Sequence, residues 1–236
     1  MKREYRDNPL YEERFGFNER DSSFRFYAIL LGILLLFLSF RFYWVSTYEM
    51  VQVSGSSMEQ TLQSGEWLLL DKSQKAKRGD IIVVDVQDYD EFKYDATGKL
   101  IPEKDRTTHL IKRLIAIEGD SVRCKDGRIE LLRSGEEEWI SWEDTYGNYG
   151  YYSDADAYDF QTYEVKQGEI FFLGDNRNVS MDSRYRENGS RLKDKLYKQE
   201  DIYGVVTPWA LENKGWIENI FITIPEKIAK FFKVKA

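Results

Sequence analysis

Histidine and cysteine are almost absent from this chain of 236 residues, which contains one of each. A Ser-His-Asp triad therefore depends on His109 alone, and the simpler interpretation of that residue is a polar side chain at the start of a strand. One histidine and one cysteine leave only carboxylates as further zinc ligands, so we expect no metal site. Cys124 has no partner for an intramolecular disulfide, and we interpret it as a small residue at a strand end.

Positive charge is also scarce. The chain has 34 Lys and Arg residues against 41 Asp and Glu residues, a formal net charge of -7 at pH 7. Nucleic-acid binding requires a basic face that neutralises phosphates, and the acidic balance provides none. We therefore expect no nucleic-acid partner.

Only one long apolar stretch is present, at residues 26–45. Twenty residues of helix extend over about 30 Å, the thickness of a bilayer core, so the stretch predicts a transmembrane helix. Six basic residues precede it, and no Lys or Arg occurs between Arg41 and Lys72. This bias predicts a cytoplasmic segment at residues 1–25 and an extracytoplasmic domain at residues 46–236. The long charged segment before the stretch disfavours a cleavable signal.

Short β-type segments dominate the rest of the chain, and turn sequences containing Gly-Asp or Asp-Gly separate many of them. They predict a mainly β domain in which residues 57–63 form a short helix. The predicted strands are residues 50–53, 67–71, 81–86, 110–118, 121–124, 128–132, 169–173 and 202–206.

Two polar stretches interrupt these strands, at residues 87–108 and 134–168, and we interpret both as loops or small added hairpins inserted on the core. The second is acidic and rich in tyrosine. Asp154, Asp156 and Asp159 lack the glycine and the distal glutamate of an EF-hand loop, so a solvated acidic surface is favoured over a calcium site.

The C-terminal residues 216–236 combine regularly spaced apolar side chains with lysines. Two interpretations remain open. Such a basic amphipathic segment can rest on a membrane surface, or it can pack against the domain.

A serine cluster at residues 54–57 lies on a glycine-containing turn about a dozen residues beyond the apolar stretch. A serine hydroxyl needs a base to become a nucleophile. Lysine can be that base if burial removes its charge, since desolvation lowers a lysine pKa by about 3 to 5 units. Lys112 lies in the apolar run 110–117, which favours burial; the alternative is an exposed strand lysine.

Four segments in this order resemble the conserved boxes of bacterial type I signal peptidases, which are membrane-anchored Ser-Lys proteases. They are residues 53–62 (VSGSSMEQTL), 79–83 (GDIIV), 112–120 (KRLIAIEGD) and 174–184 (GDNRNVSMDSR). The resemblance, closest to the Gram-positive branch, implies a signal-peptidase-type, β-barrel-like catalytic domain behind one N-terminal transmembrane helix.

The resemblance also assigns roles to individual residues. It makes Ser57, which directly precedes Met58, the nucleophile and Lys112 the general base. It makes Ser180 a hydrogen-bond partner of the lysine amine. Gly55 occupies a position where some relatives have serine, so oxyanion stabilisation falls to the Ser57 backbone N–H. The supporting polar network matches Asp175, Arg177, Asp182 and Arg184.

Gln60 is a departure, because the family pattern has proline there. The fixed φ of proline would stiffen the turn, so we expect looser positioning without loss of chemistry. The family implies no cofactor, and it implies signal-peptide-bearing precursors and membrane lipid as partners, with cleavage after small residues.

Two other functions are compatible with parts of the sequence. A regulatory Ser-Lys autoprotease would lack the spanning segment and would bring a basic DNA-binding part, neither of which fits. A non-catalytic membrane-anchored scaffold or assembly chaperone of the same fold could use the acidic insertion as a binding surface, although this chain keeps both dyad residues.

Overall fold

A computed structural model describes residues 19–87, 92–94, 100–102, 107–146, 159–180, 182–186 and 197–233. The chain divides into two compact units, Met1–Thr47 and Tyr48–Ala236. Asp154 and Asp156 of the predicted acidic surface lie outside the described residues.

The first unit contains the helix α1, Glu19–Thr47. Its large apolar side chains are exposed on all sides, which is typical of a helix surrounded by lipid rather than of an amphipathic surface helix. The hydroxyl of Ser39 donates to the carbonyl oxygen of Leu35 at 2.8 Å, so this polar group is satisfied within the helix. The part Ser23–Thr47 is long and apolar enough to cross a membrane.

The second unit is built on a six-stranded antiparallel sheet with the order β1-β2-β12-β3-β6-β11. The prediction of a mainly β domain behind an apolar N-terminal helix is confirmed. The six strands are β1 Tyr48–Gln52, β2 Trp67–Asp71, β3 Ile81–Gln87, β6 Thr107–Ile117, β11 Ile170–Leu173 and β12 Ile202–Val206.

Two smaller sheets accompany it. One has the order β10-β7-β8-β9, and the other pairs β4 with β5. The strands β4, β5, β9 and β10 and the helix α2 lie within the stretches predicted as insertions. The elements are β4 Phe92–Tyr94, β5 Leu100–Pro102, β7 Ser121–Lys125, β8 Arg128–Leu132, β9 Ile140–Ser141, α2 Trp142–Tyr146 and β10 Phe160–Glu164.

Both faces of the central strand β3 are covered by core. Ile81 and Val83 pack in one apolar cluster, and Ile82 and Val84 pack in another on the opposite face. A strand buried on both faces needs a continuous apolar run instead of an alternating one. The neighbouring strand β6 crosses the same interior. Lys112, a charged residue on β6, is therefore buried.

Helical turns follow β12, from residue 208 to residue 233. Thr207 caps the first helix by accepting a hydrogen bond from the backbone N–H of Ala210 at 3.1 Å, and Pro208 occupies the first turn. The elements are α3 Pro208–Glu212, α4 Lys214–Glu218, a π-helical turn Asn219–Thr223 and α5 Ile224–Lys233.

Candidate active site

The serine cluster lies on the connection between β1 and β2. Met58 and Leu62 are buried in the core at 1% and 0% exposure and anchor this connection, which leaves Ser57 at its surface. The short helix predicted for residues 57–63 is wrong: the segment forms consecutive turns, with one helical hydrogen bond from the N–H of Leu62 to the carbonyl of Met58. Gly55 has φ +87°, a conformation that glycine adopts without strain.

Gln60 also has a positive φ, of 82°. Proline fixes φ near -65° and cannot adopt this backbone. Glutamine at this position therefore belongs to a turn of different geometry, rather than to a loosened version of a turn that contains proline.

Lys112 lies on β6 opposite Ile82 of β3 and is 2% exposed. Its Nζ is 2.7 Å from the Oγ of Ser57 and 3.0 Å from the carbonyl oxygen of Ile111. The two groups expected to form a dyad are therefore in direct hydrogen-bond contact, although 55 positions separate them in the chain.

Burial lowers the pKa of Lys112 from 10.5 to about 8, while the nearby charges of Asp182 and Asp175 raise it and limit the shift. A pKa of about 8 leaves about a tenth of the amine neutral at pH 7, against fewer than one in a thousand for an exposed lysine. The neutral form has a lone pair that can accept a proton from a hydroxyl.

Asp175 connects the serine turn to the lysine strand. The guanidinium of Arg113 donates to both carboxylate oxygens of Asp175, at 2.8 and 2.7 Å, and to the carbonyl of Gly79 at 2.6 Å. The Thr61 hydroxyl donates to the same carboxylate at 2.6 Å. A bidentate, buried ion pair has a fixed geometry, so it fixes the turn relative to the residue that follows Lys112.

A second network supports the loop after β11. The carboxylate of Asp182 accepts from the N–H of Gly174 at 3.0 Å and from the guanidinium of Arg184 at 2.8 and 2.9 Å. The guanidinium of Arg184 donates to the carbonyl of Arg177. The guanidinium of Arg177 donates to the carbonyl of Gly174. The structure thus brings the four predicted network residues together beside the dyad.

Ser180 is fully buried and lies against Gly174. A Cβ added to Gly174 would overlap the Ser180 Oγ and would lie 2.5 Å from the carbonyl oxygen of Ser57, which is why only glycine fits there. The hydrogen bond expected from Ser180 to Lys112 is not formed: within the described part of the chain, the Ser180 Oγ has no hydrogen-bond partner. The amine contacts Ile111 and Ser57 instead.

A groove of about 130 Å³ opens over the dyad. The dyad residues lie in its wall together with the end of β1, the serine turn and part of β6. It is lined by residues 51–55, Ser57, Met58, Val83 and residues 109–112.

His109 lies in the wall of the same groove, but its described contacts lead away from Ser57. Its Nε2 is 3.3 Å from the carboxylate of Asp85, and its ring packs on Tyr203 with 4.7 Å between the centroids. It is 41% exposed at its side chain. Lys112, not His109, is therefore the basic group in contact with the serine.

Comparison with known proteins gives the family of the chain. The family model for signal peptidase, peptidase S26, matches residues 23–209.

The chain belongs to this family.

It is 31% identical over 189 residues to signal peptidase I of Bacillus licheniformis, an alignment that covers 75% of this chain and 85% of that protein. It is 32% identical over 168 residues to signal peptidase I T of Bacillus subtilis (strain 168), covering 66% of this chain and 72% of that protein. The predicted family, its Gram-positive character and the class of serine endopeptidase are confirmed. A crystal structure of a signal peptidase I from Enterococcus faecalis V583 aligns over 57% of this chain and 98% of its own, with 23% identity and a TM-score of 0.36.

Three residues that contact the signal peptidase site were not singled out from the sequence. Thr61 and Arg113 hold Asp175, and Asn176 donates from its backbone and its side chain to the carbonyls of Ser57 and Ser56, both at 3.0 Å. All three lie inside the segments that carry the resemblance. Their position in these segments marked them as candidates. Their contact partners could not be predicted, because the partners lie in distant segments that meet only in the folded domain.

Proposed function

We propose that this chain is a Ser-Lys endopeptidase that removes signal peptides from exported precursors at the outer face of the cytoplasmic membrane. The observation that carries the proposal is the 2.7 Å contact between the Ser57 hydroxyl and the Nζ of buried Lys112, whose pKa is lowered to about 8 by burial.

The first half of the reaction forms an acyl-enzyme. The neutral amine of Lys112 accepts the proton of the Ser57 hydroxyl while the Oγ attacks the scissile carbonyl. The tetrahedral intermediate collapses as the lysine ammonium gives its proton to the leaving amine, which departs as the new N-terminus of the mature protein. Ser57 is then esterified to the signal peptide.

The second half releases the signal peptide. Lys112, neutral again, accepts a proton from a water molecule whose oxygen attacks the ester carbonyl. The ammonium then returns a proton to the Oγ of Ser57, and the enzyme is restored. In both halves negative charge develops on the carbonyl oxygen, and the backbone N–H of Ser57 is the donor assigned to it.

The strand edges around the groove fit an extended substrate. Residues 107–113 of β6 pair with β3 on one side, whereas β11 pairs with residues 113–117 on the other. Residues 109–112 thus leave one edge without a strand partner beside the groove, within the described part of the chain. Such an edge can bind an extended peptide through main-chain hydrogen bonds. The peptide's carbonyl is then directed towards Ser57.

The position at the membrane follows from α1. If this helix spans the bilayer with its basic N-terminal flank in the cytoplasm, the catalytic domain lies outside, next to lipid. A membrane-bound precursor and the enzyme then share one surface, which raises their effective concentration.

Cleavage of an exported precursor by the purified, detergent-solubilised full chain tests this function. Wild type should cut the precursor, and Ser57→Ala and Lys112→Ala should each lower the rate by on the order of 10³-fold or more. The matched controls Ser73→Ala and Lys75→Ala remove a serine and a lysine outside the site and should cut normally.

Equal cutting by all variants would contradict the dyad assignment. If neither wild type nor any variant cuts the precursor, the hypothesis of a non-catalytic scaffold replaces the proposed function.

A further inference from the structure

Among residues 208–230 of the C-terminal helical segment, whose side chains the structure describes, five large apolar side chains are exposed. Trp209, Trp216, Ile220, Ile224 and Ile228 have exposures of 52%, 56%, 37%, 43% and 52%. We call this set the C-terminal stripe. Exposed apolar patches on protein surfaces mark interaction sites with proteins or membranes.

The members of the stripe recur along the whole described length of the segment. The rings of Trp209 and Trp216 contact each other edge to face, with 6.1 Å between their centroids. Ile224 and Ile228 follow on α5 at an interval of four residues, the spacing that places side chains above one another on an α-helix, and Ile220 precedes them in the π-helical turn.

The stripe is not the face that holds this segment to the domain. Ala210 and Ile217 pack this segment against the domain and are 1% and 0% exposed. Lys214 also forms an ion pair with Glu66 at 2.6 Å. Of the two alternatives raised for residues 216–236, packing against the domain applies at Ile217, whereas residues 224–230 of α5 are exposed.

The charge near the stripe indicates what kind of partner this is. Residues 209–236, which contain the stripe, have five lysines and three glutamates, although the whole chain is acidic; the lysines are concentrated at the far end, from Lys227 onwards. Lys227 and Lys230 are exposed on α5. Tryptophan and isoleucine next to lysine suit the boundary between anionic headgroups and acyl chains, because the rings and alkyl groups enter the apolar layer while the amines remain at the phosphates.

The domain that carries the stripe is also covalently connected to the predicted transmembrane helix. The strand β1 begins at the residue that follows α1, so the domain is tethered directly to any membrane that α1 crosses. Residues 210–236 lie outside the stretch that the family model matches, so the family assignment gives this segment no role.

We propose that the C-terminal stripe binds the surface of an anionic membrane, with its tryptophan and isoleucine side chains inserted at the headgroup level. The segment is then a second, reversible membrane contact in addition to α1, one that fixes the orientation of the catalytic domain on the bilayer.

Spin labelling of the full chain in lipid vesicles tests this contact without using catalysis. A nitroxide is attached at Ile228→Cys on the stripe and, as matched control, at Glu226→Cys, an exposed position on the same helix outside the stripe. Burial raises the pKa of the native Cys124 thiol to about 12, so this thiol is expected to stay unlabelled at pH 7, and the unsubstituted chain reports any background.

In vesicles of phosphatidylglycerol and phosphatidylethanolamine, the label at 228 should collide more with dissolved oxygen than with a water-soluble nickel complex. The label at 226 should show the reverse. Replacing the anionic lipid with phosphatidylcholine should weaken the preference at 228, because the lysines lose their attraction to the surface.

Two results would overturn the proposal. One is equal nickel accessibility at 228 and 226 in the anionic vesicles. The other is strong dipolar broadening between labels at 228 on separate chains, which would show that a second copy covers the stripe. Either result would leave the proposed peptidase activity unaffected, because the readout does not depend on cleavage.

Discussion

At the scale of single residues, the buried amine of Lys112 is the proposed general base and also lowers the stability of the fold. The folded state lowers its pKa to about 8, so below that pH the fold must hold a charged amine in an apolar surrounding. A base with a lowered pKa destabilises the fold when both states are protonated. It has no such effect above the unfolded pKa of about 10.4, where both states are neutral.

Replacing Lys112 with methionine should therefore increase stability while abolishing cleavage. At pH 6 the free energy of unfolding should rise by about 1 to 3 kcal/mol, because an apolar chain of similar length replaces a buried charge. The gain should shrink as the pH rises from about 8 to about 10.4. Chemical denaturation in detergent, followed by tryptophan fluorescence, measures this change, and a loss of stability at pH 6 would contradict it.

Gln60 gives a second prediction at this scale. Because its φ is 82°, Gln60→Gly should stabilise the turn by about 0.5 to 1 kcal/mol, and Gln60→Pro should lower both stability and activity. Thermal unfolding and precursor cleavage of the two variants check this. A Gln60→Pro variant as stable and active as wild type would show that the turn has the proline geometry of its relatives.

Residue chemistry also explains how much of the site was predictable. Ser57 and Lys112 could be proposed because an apolar run around a lysine is unusual and because the four segments resemble a family. The roles of Thr61 and Arg113 as partners of Asp175 could not be proposed. Strand alternation places Arg113 on the opposite face of β6 from Lys112, but it does not reveal that Asp175 contacts Arg113 there. The geometry at Gln60 depends on a turn conformation that residue type alone did not indicate.

At the scale of elements, the site depends on the close approach of two loops. The serine turn between β1 and β2 meets the loop after β11 at Gly174, where there is no space for a Cβ. Asn176, in the loop after β11, stabilises this approach by donating two hydrogen bonds to the serine turn.

Gly174→Ala should push these loops apart and displace Ser57 from Lys112. A misplacement of about 1 Å costs on the order of 10²-fold in rate, so we expect a drop in kcat of at least that size. Gly215→Ala is the matched control, because nothing lies within 4 Å of its added Cβ and it should be active and no less stable. Normal kcat for Gly174→Ala would contradict this account of the contact.

The strands of the main sheet were predicted well because their apolar runs are continuous and bounded by clear turns. The prediction for β2 has the observed ends, Trp67–Asp71, and so has that for β12, Ile202–Val206. The strands β9 and β10 were missed because they are short and carry polar or half-exposed residues. Their pairing depends on tertiary contacts that local periodicity does not report.

At the scale of the whole molecule, the proposed topology places the two ends of α1 in different compartments. Accessibility of introduced cysteines in intact bacterial cells measures it. A membrane-impermeant maleimide should label Glu138→Cys, an exposed position of the domain, in intact cells. Arg3→Cys should react only after lysis, since the basic flank stays in the cytoplasm. The reverse labelling pattern would contradict the orientation.

The central claim is that a neutral Lys112 takes the proton of Ser57, and the pH dependence of kcat/KM for precursor cleavage tests it most directly. This ratio reports the ionisation of the free enzyme. We predict that it falls tenfold per pH unit below an inflection near pH 8, because protonation of the amine removes the base. A flat profile between pH 6 and 9, or an inflection near pH 6.5 that disappears in His109→Gln, would contradict the claim.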